Sequence, residues 1–288
     1  EKATLDASFY YNAKVGAPKA LLVFCHGIGC GRQNYLNRID YFAKKGYLIF
    51  AFDLTGCVNS GGKSLYGLPQ ATNDIRSALL YVNTIEKAKD LPRLLYGHSW
   101  SGYSCAALMN EQDYGVDAIV TCSGFDSTYD IAIGFMTKKY AFFKTILAHY
   151  FQVVEVLKFG KIAKYKAIDG INKFGKPVIV AHSKDDPSIP FEGSIYGKQN
   201  ECTNPYAKFL CFEGRGHTLS RPLKDEQIVN KSFVKDGSFR KLKHRESFFK
   251  YNVDMHYAKA EMENIYGLDT EFMDGIDKFY DNALQQKK

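Results

Sequence analysis

The six residues Gly97-His98-Ser99-Trp100-Ser101-Gly102 constrain this chain more than any other stretch. They follow the apolar run Leu94-Leu95-Tyr96 and lead into a helix-forming run at 104–109. A strand, a tight turn with serine at its apex and then a helix leave the serine Oγ clear of the backbone at a sheet's C-terminal edge. Strand and helix approach closely at such a turn, so the residues two before and two after the serine must be small. Gly97 meets that demand fully; Ser101, standing where glycine is usual, is small enough to meet it. A Gly-x-Ser near a strand end also fits an ordinary turn, so the motif needs support from elsewhere.

A nucleophilic serine needs a base to take its proton and an acid to hold that base in one tautomer. Two later segments supply them. Residues 176–182 read as a buried parallel strand, followed by the loop Ser183-Lys184-Asp185-Asp186-Pro187. Residues 206–212 read as another strand, followed by Glu213-Gly214-Arg215-Gly216-His217. Ser99, Asp186 and His217 thus each fall just past a strand end, where a parallel α/β sheet gathers its chemistry.

Together these motifs resemble the α/β-hydrolase-fold serine hydrolases, in the branch of monoacylglycerol lipases, lysophospholipases and serine aminopeptidase-like proteins. The resemblance runs from about residue 18 to about residue 220. The acid loop of that branch, His-Gly-x-x-Asp-x-x-Val-Pro, is matched by 182–190, which implies Asp186 rather than Asp185 as the acid, with Asp126 in reserve. Gly214-Arg215-Gly216-His217 is similar to its histidine loop. The strand at 20–25 runs into His26-Gly27-Ile28-Gly29, which resembles its oxyanion loop. The backbone N–H groups carried over as oxyanion donors are those of Ile28 and Trp100, with His26 bracing the loop. The family's Asp-x-x-Gly-x-Gly-x-Ser is only partly present, because Val58 replaces its second glycine between Asp53 and Ser60.

The resemblance implies a cofactor-independent serine hydrolase cleaving carboxylic esters of small molecules with an apolar acyl or alcohol group. Amide cleavage as in an aminopeptidase-like relative, acyl transfer to an acceptor other than water, and small-molecule binding without turnover are the alternatives. Dehalogenases and epoxide hydrolases of this fold resemble a different pattern, with aspartate at the turn, and Ser99 argues against them.

Two other motifs fall short. Gly27-Ile28-Gly29-Cys30-Gly31-Arg32 with Asp53 beyond imitates a dinucleotide fingerprint, but Arg32 occupies the glycine position that close helix packing needs. Gly61-Gly62-Lys63-Ser64 hints at a phosphate loop, yet Cys57 stands where its first glycine belongs. Seven cysteines, an odd number without a Cys-x-x-Cys pair, and scattered histidines imply neither a disulfide framework nor a metal site. The net charge is +7, and the basic run Arg240-Lys241-Leu242-Lys243-His244-Arg245 reads as a solvated helix face or as a contact for an anionic lipid surface. Nucleic acid is not expected, because no base-reading or stacking module accompanies that run. No apolar run reaches the 18 or more residues of a transmembrane helix. The chain starts at Glu1 rather than methionine, so a cytoplasmic location is only the default expectation and an upstream signal or anchor stays open.

Strands are expected near 8–12, 20–25, 47–53, 93–97, 117–122, 177–182 and 206–212, with helices near 34–45, 70–88 and 100–111. The alternation predicts an α/β fold, a mostly parallel sheet covered on both faces. The core is expected to comprise 1–124 and 171–288, with a helical extension over about 221–288. Residues 125–170 break the rhythm and carry Phe125, Tyr129, Phe135, Met136, Tyr140, Phe142, Phe143, Tyr150, Phe151 and Phe159 at helical spacing. Their position is where the family inserts a cap or lid. Within the tail, 254–266 and 270–284 read as amphipathic helices, the second with Ile276, Phe279, Tyr280 and Leu284 on one face. Packing onto the body is the expected role, and oligomeric state is not legible.

Overall fold

All but the first residue of Ala20–Cys25 and Tyr47–Phe52 are large apolar, aromatic or thiol side chains, or alanine at 51, so neither strand can turn a face to water. A computed structural model, which describes residues 3–135, 143–221 and 267–286, buries both along their whole length. They are β2 (Ala20–Cys25) and β3 (Tyr47–Phe52) of a seven-stranded sheet. Its other strands are β1 (Ala7–Tyr10), β4 (Arg93–His98), β5 (Val116–Cys122), β6 (Val178–Ser183) and β7 (Ala207–Phe212). The order is β1-β3-β2-β4-β5-β6-β7; β1 runs antiparallel to β3 and every other pairing is parallel.

Side-chain alternation divides the core into two layers. Leu21, Val23 and Cys25 of β2 pack on one face with Ala71, Ile75, Ala78 and Leu79 of α2 (Gln70–Val82). α3 (Trp100–Leu108) and α6 (Ala167–Phe174) complete that layer. Ala20, Leu22 and Phe24 face the other way, toward α1 (Leu36–Lys44) and α7 (Thr270–Gln285). The sheet is therefore mostly parallel and helix-covered on both sides, as the alternation predicts. α2 ends at Val82 rather than near 88, where the chain passes into successive turns.

α7 is fastened by apolar and ionic contacts together. Met273, Ile276 and Tyr280 are buried, and the Tyr280 hydroxyl donates to the Leu95 carbonyl of β4 at 2.6 Å. Lys19 pairs with Asp277 and Asp281, and Lys45 with Asp274. The helix expected over 254–266 and the basic run from Arg240 to Arg245 lie outside the described residues.

Between β5 and β6 the chain inserts α4 (Thr128–Phe135) and α5 (Lys144–Phe159) before α6. The boundary expected at residue 170 falls inside α6. That helix packs on α3, Gly170 coming so near the Ala106 carbonyl that no Cβ could fit. α6 is thus part of the layer against the sheet, and only the stretch before it departs from the alternating layout. Met136, Tyr140 and Phe142 lie outside the described residues. Phe125 is buried and stacks on Tyr103 with ring centroids 4.5 Å apart, whereas Phe143 and Tyr150 are exposed.

α5 buries Ala148 and Glu155, two turns apart on one face. Glu155 lies beside the Gly67–Leu68 backbone, with its Oε2 lacking a hydrogen-bond partner. Burial raises this carboxyl to about 7 from 4.5, while nearby Lys158 opposes the rise. The folded chain therefore keeps a proton that the unfolded chain releases, and Glu155 makes stability fall as pH climbs from about 4.5 to about 7. Glu155→Gln is expected to unfold at a higher temperature than wild type at pH 8 and at nearly the same temperature at pH 4. Thermal unfolding at the two pH values checks this; a variant equally shifted at both would contradict it.

Candidate active site

β4 ends at His98 and α3 begins at Trp100, so Ser99 alone turns the chain. Its φ of 57° and ψ of −117° lie outside the regions that L-residues favour. Such strain costs on the order of 1–3 kcal/mol and persists only where the surroundings impose it. Here the Ser99 N–H donates to the Cys122 carbonyl at 2.7 Å, and the Ser99 carbonyl accepts from the Tyr103 N–H at 3.2 Å.

Small flanking residues are a steric necessity. A Cβ on Gly97 would enter the Ser101 carbonyl and stand 2.9 Å from the Cys105 sulfur. Ser101 does more than fit: its hydroxyl donates to the His26 carbonyl at 2.6 Å, joining α3 to the loop after β2.

The three sequence-predicted groups converge at this turn. The Ser99 hydroxyl lies 2.9 Å from His217 Nε2, and His217 Nδ1 lies 3.0 and 2.8 Å from the two Asp186 oxygens. A carboxylate only accepts, so Nδ1 carries the imidazole proton and Nε2 is free to accept from Ser99. Asp186 Oδ1 also accepts the N–H groups of Ser188 and Ile189, at 2.8 and 3.0 Å. His182, whose pKa burial pushes down, sits buried behind Asp186 with Nε2 4.0 Å from Oδ2. Asp185 turns elsewhere: it bonds the Ser183 hydroxyl and the Gly214 N–H, bracing the loop that carries His217. Asp126 is directed at the start of α6, where its Oδ1 and carbonyl accept from Ile168 and Ala167, both at 2.8 Å.

His26 braces the oxyanion-like loop. Its Nε2 accepts the Leu54 N–H at 2.9 Å, so Nδ1 bears the proton and donates to the Gly27 carbonyl at 2.7 Å. That bond fixes the Gly27–Ile28 peptide, and because the peptide is trans the Ile28 N–H points the opposite way. The same loop passes close to the serine: a Cβ on Gly27 would stand 3.2 Å from Ser99 Cβ. Trp100, bearing the other expected donor, directly follows Ser99 and anchors its indole N–H on the Leu68 carbonyl at 2.6 Å.

Asp53, the distal member of the dinucleotide-like pattern, receives the Arg32 backbone N–H at 2.8 Å and its guanidinium at 2.9 Å. Val58, which stands at the second glycine position of the related motif, adopts a φ of 40°, a range that favours glycine. Among the described residues no cluster of three or more His, Cys, Asp or Glu could hold a metal ion, and no helix is long and apolar enough to cross a membrane. Tyr35, Arg38 and His98, which the sequence alone does not single out, lie behind the site; His98 could have been suspected from its place beside Ser99.

A family model described as serine aminopeptidase, S33, matches residues 16–167, more than half of the 288-residue chain. The chain belongs to that family. The match includes Ile28 and Ser99, whereas Asp186 and His217 lie beyond it. No curated protein matches in sequence. Among solved structures, Est1E from Butyrivibrio proteoclasticus, with ferulic acid bound, superposes with a TM-score of 0.61 at 18% identity over 80% of this chain and 94% of its own. The Paleococcus ferrophilus monoacylglycerol lipase gives 0.56 at 16% identity, over 80% of this chain and 97% of its own. For the Pyrococcus furiosus esterase Pf2001 the values are 0.54 and 16%, over 82% and 91%. These similarities place the chain in the α/β-hydrolase fold.

The close approach at the turn has a measurable consequence. Gly97→Ala is expected to lower the free energy of unfolding by about 1–3 kcal/mol, the usual cost of forcing an extra methyl group into a packed site. Urea unfolding followed by fluorescence checks this, and an unchanged midpoint would contradict it.

Proposed function

We propose that the protein is a serine hydrolase that cleaves carboxylic esters through an acyl-enzyme formed on Ser99. The observation that carries the reading is the unbroken line from the Ser99 hydroxyl through the His217 ring to Asp186, with every link between 2.8 and 3.0 Å. Ser99 Oγ attacks the ester carbonyl as His217 Nε2 takes its proton. The carbonyl oxygen becomes an oxyanion, which the Ile28 and Trp100 N–H groups stabilise; one such donor is typically worth roughly 3–4 kcal/mol of barrier. Collapse of the intermediate expels the alcohol, which receives the proton from His217. Water then attacks the acyl-serine with His217 again as base, releasing the acid and restoring Ser99. Asp186 orients the imidazole and offsets its positive charge during both halves.

The stretch from 125 to the start of α6 serves as the cap in this proposal. Its aromatic content suits it to enclose an apolar acyl or alcohol group and to exclude water. The esterase and lipase names of the structural neighbours support ester chemistry. The aminopeptidase description of the family favours the second reading, amide cleavage by the same three groups.

Two experiments test these readings. A fluorophosphonate probe should label wild type and leave Ser99→Ala unlabelled; equal labelling of the two would refute Ser99 as nucleophile. p-Nitrophenyl esters should turn over far faster than amino-acid p-nitroanilides, and the reverse ranking would establish the amide reading instead. The acid assignment predicts that Asp186→Asn loses on the order of 10⁴-fold in kcat, as loss of the orienting carboxylate does elsewhere. Asp185→Asn should lose far less, and a reversed order would move the role to Asp185.

A further inference from the structure

The loop that carries His217 has no regular secondary structure, and Gly214 and Gly216 interrupt it with φ of 71° and 58°. Yet the His217 ring must hold one geometry through two successive proton transfers. A misplacement of about 1 Å can cost on the order of 100-fold in rate. Something other than the local backbone must therefore hold this loop.

His98, the last residue of β4, lies buried with its ring centroid 4.9 Å from that of His217. His98 Nε2 stands 2.9 Å from the His217 backbone carbonyl, and Nδ1 stands 2.7 Å from the Tyr35 hydroxyl. A carbonyl only accepts, so Nε2 carries the proton. Burial first, and the neighbouring His217 second, push the His98 pKa well down and keep the ring neutral. Nδ1 is then a lone pair, and the Tyr35 hydroxyl donates to it. The Tyr35 oxygen in turn accepts the Gly27 N–H at 3.0 Å. Each member has one orientation, and the chain runs from the Gly27 N–H through Tyr35 and His98 to the His217 carbonyl. Linked bonds of this kind in a buried setting polarise and strengthen one another.

Arg38 extends the clamp. It follows Tyr35 by three residues, its guanidinium lies 4.7 Å from the Tyr35 ring centroid, and it bonds the Ser220 hydroxyl and the Thr218 carbonyl. The His217 carbonyl is thereby tied to the end of β4, and the Thr218 carbonyl and Ser220 hydroxyl to α1.

We propose that Tyr35 and His98 are positioning residues for the hydrolysis: their buried hydrogen-bond chain locks the oxyanion loop and the His217 loop to each other and to the end of β4. The inference rests on the hydrolase reading above. It assigns neither residue a contact with substrate.

Steady-state hydrolysis of p-nitrophenyl butyrate by the full chain tests it, with the melting temperature and the rate of fluorophosphonate labelling measured alongside. His98→Leu removes the donor to His217 and is expected to lower kcat about 10–100-fold with KM changed less than about twofold, and to slow labelling in parallel. His98→Gln keeps an N–H that can reach the carbonyl and should recover most of that loss. Tyr35→Phe should also lower kcat, by less, and the double variant should be no slower than His98→Leu because both act through one chain. A general packing defect would instead lower the melting temperature of the Gln and Leu variants without separating them in kcat. Unchanged kcat in a folded His98→Leu, or equal losses for Gln and Leu, overturns the proposal. Should His98→Leu not fold, Tyr35→Phe decides, and wild-type kcat there overturns it. Wild type that neither turns over ester nor takes the probe would refute the hydrolase reading itself, a result distinct from active wild type with unaffected variants.

Discussion

The approach of β4 to α3 at Ser99 is the constraint on which the rest of this molecule is arranged. One residue has to reverse the chain between a strand and a helix, and it does so in a conformation that a serine rarely adopts. That conformation survives because Gly97 has no side chain, the Ser99 N–H is held by Cys122, and the Ser101 hydroxyl grips the His26 carbonyl. The strain is maintained by packing on every side, and its product is a hydroxyl raised above the sheet edge.

Around that point the loops at the C-terminal sheet edge are tied to one another by hydrogen bonds. His26 sets the Gly27–Ile28 peptide, Asp185 holds Gly214, and Asp186 holds His217. Arg215, in the His217 loop, pairs with Asp269 at the start of α7 at 2.5 Å. The C-terminal helix thus contributes to the site although it lies on the far side of the sheet from α2, α3 and α6. Its acidic face, matched to Lys19 and Lys45, explains why a helix so distant in sequence docks there in one register.

Much of this is legible in the amino-acid sequence. Unbroken apolar runs such as 20–25 and 47–52 announce strands buried on two faces, because an amphipathic strand would alternate. Ser99, Asp186 and His217 announce themselves by loop context: each sits just past a strand, with Gly97 two residues before Ser99, Pro187 after Asp186 and Gly216 before His217. The place of α6 was not legible, since a helix of the sheet layer and a helix of an insertion share one apolar periodicity and differ only in what they meet. The end of α2 carries no sequence signal, because the turns over 83–88 contain good helix formers such as Glu86, Lys87 and Ala88. Tyr35 and Arg38 left no signal, since a tyrosine 63 positions from its histidine partner has no spacing to recognise; His98 offered only its place beside Ser99.

By itself the sequence determined the strands, the serine turn and the identities of the groups that meet there, because periodicity and small-residue requirements act over a few neighbouring positions. What Asp185 holds, which way the 27–28 peptide points and what steadies the 217 loop were decided only by the tertiary structure. Those are questions of direction between segments tens to hundreds of residues apart, and a hydrogen bond is made or missed within a few tenths of an ångström.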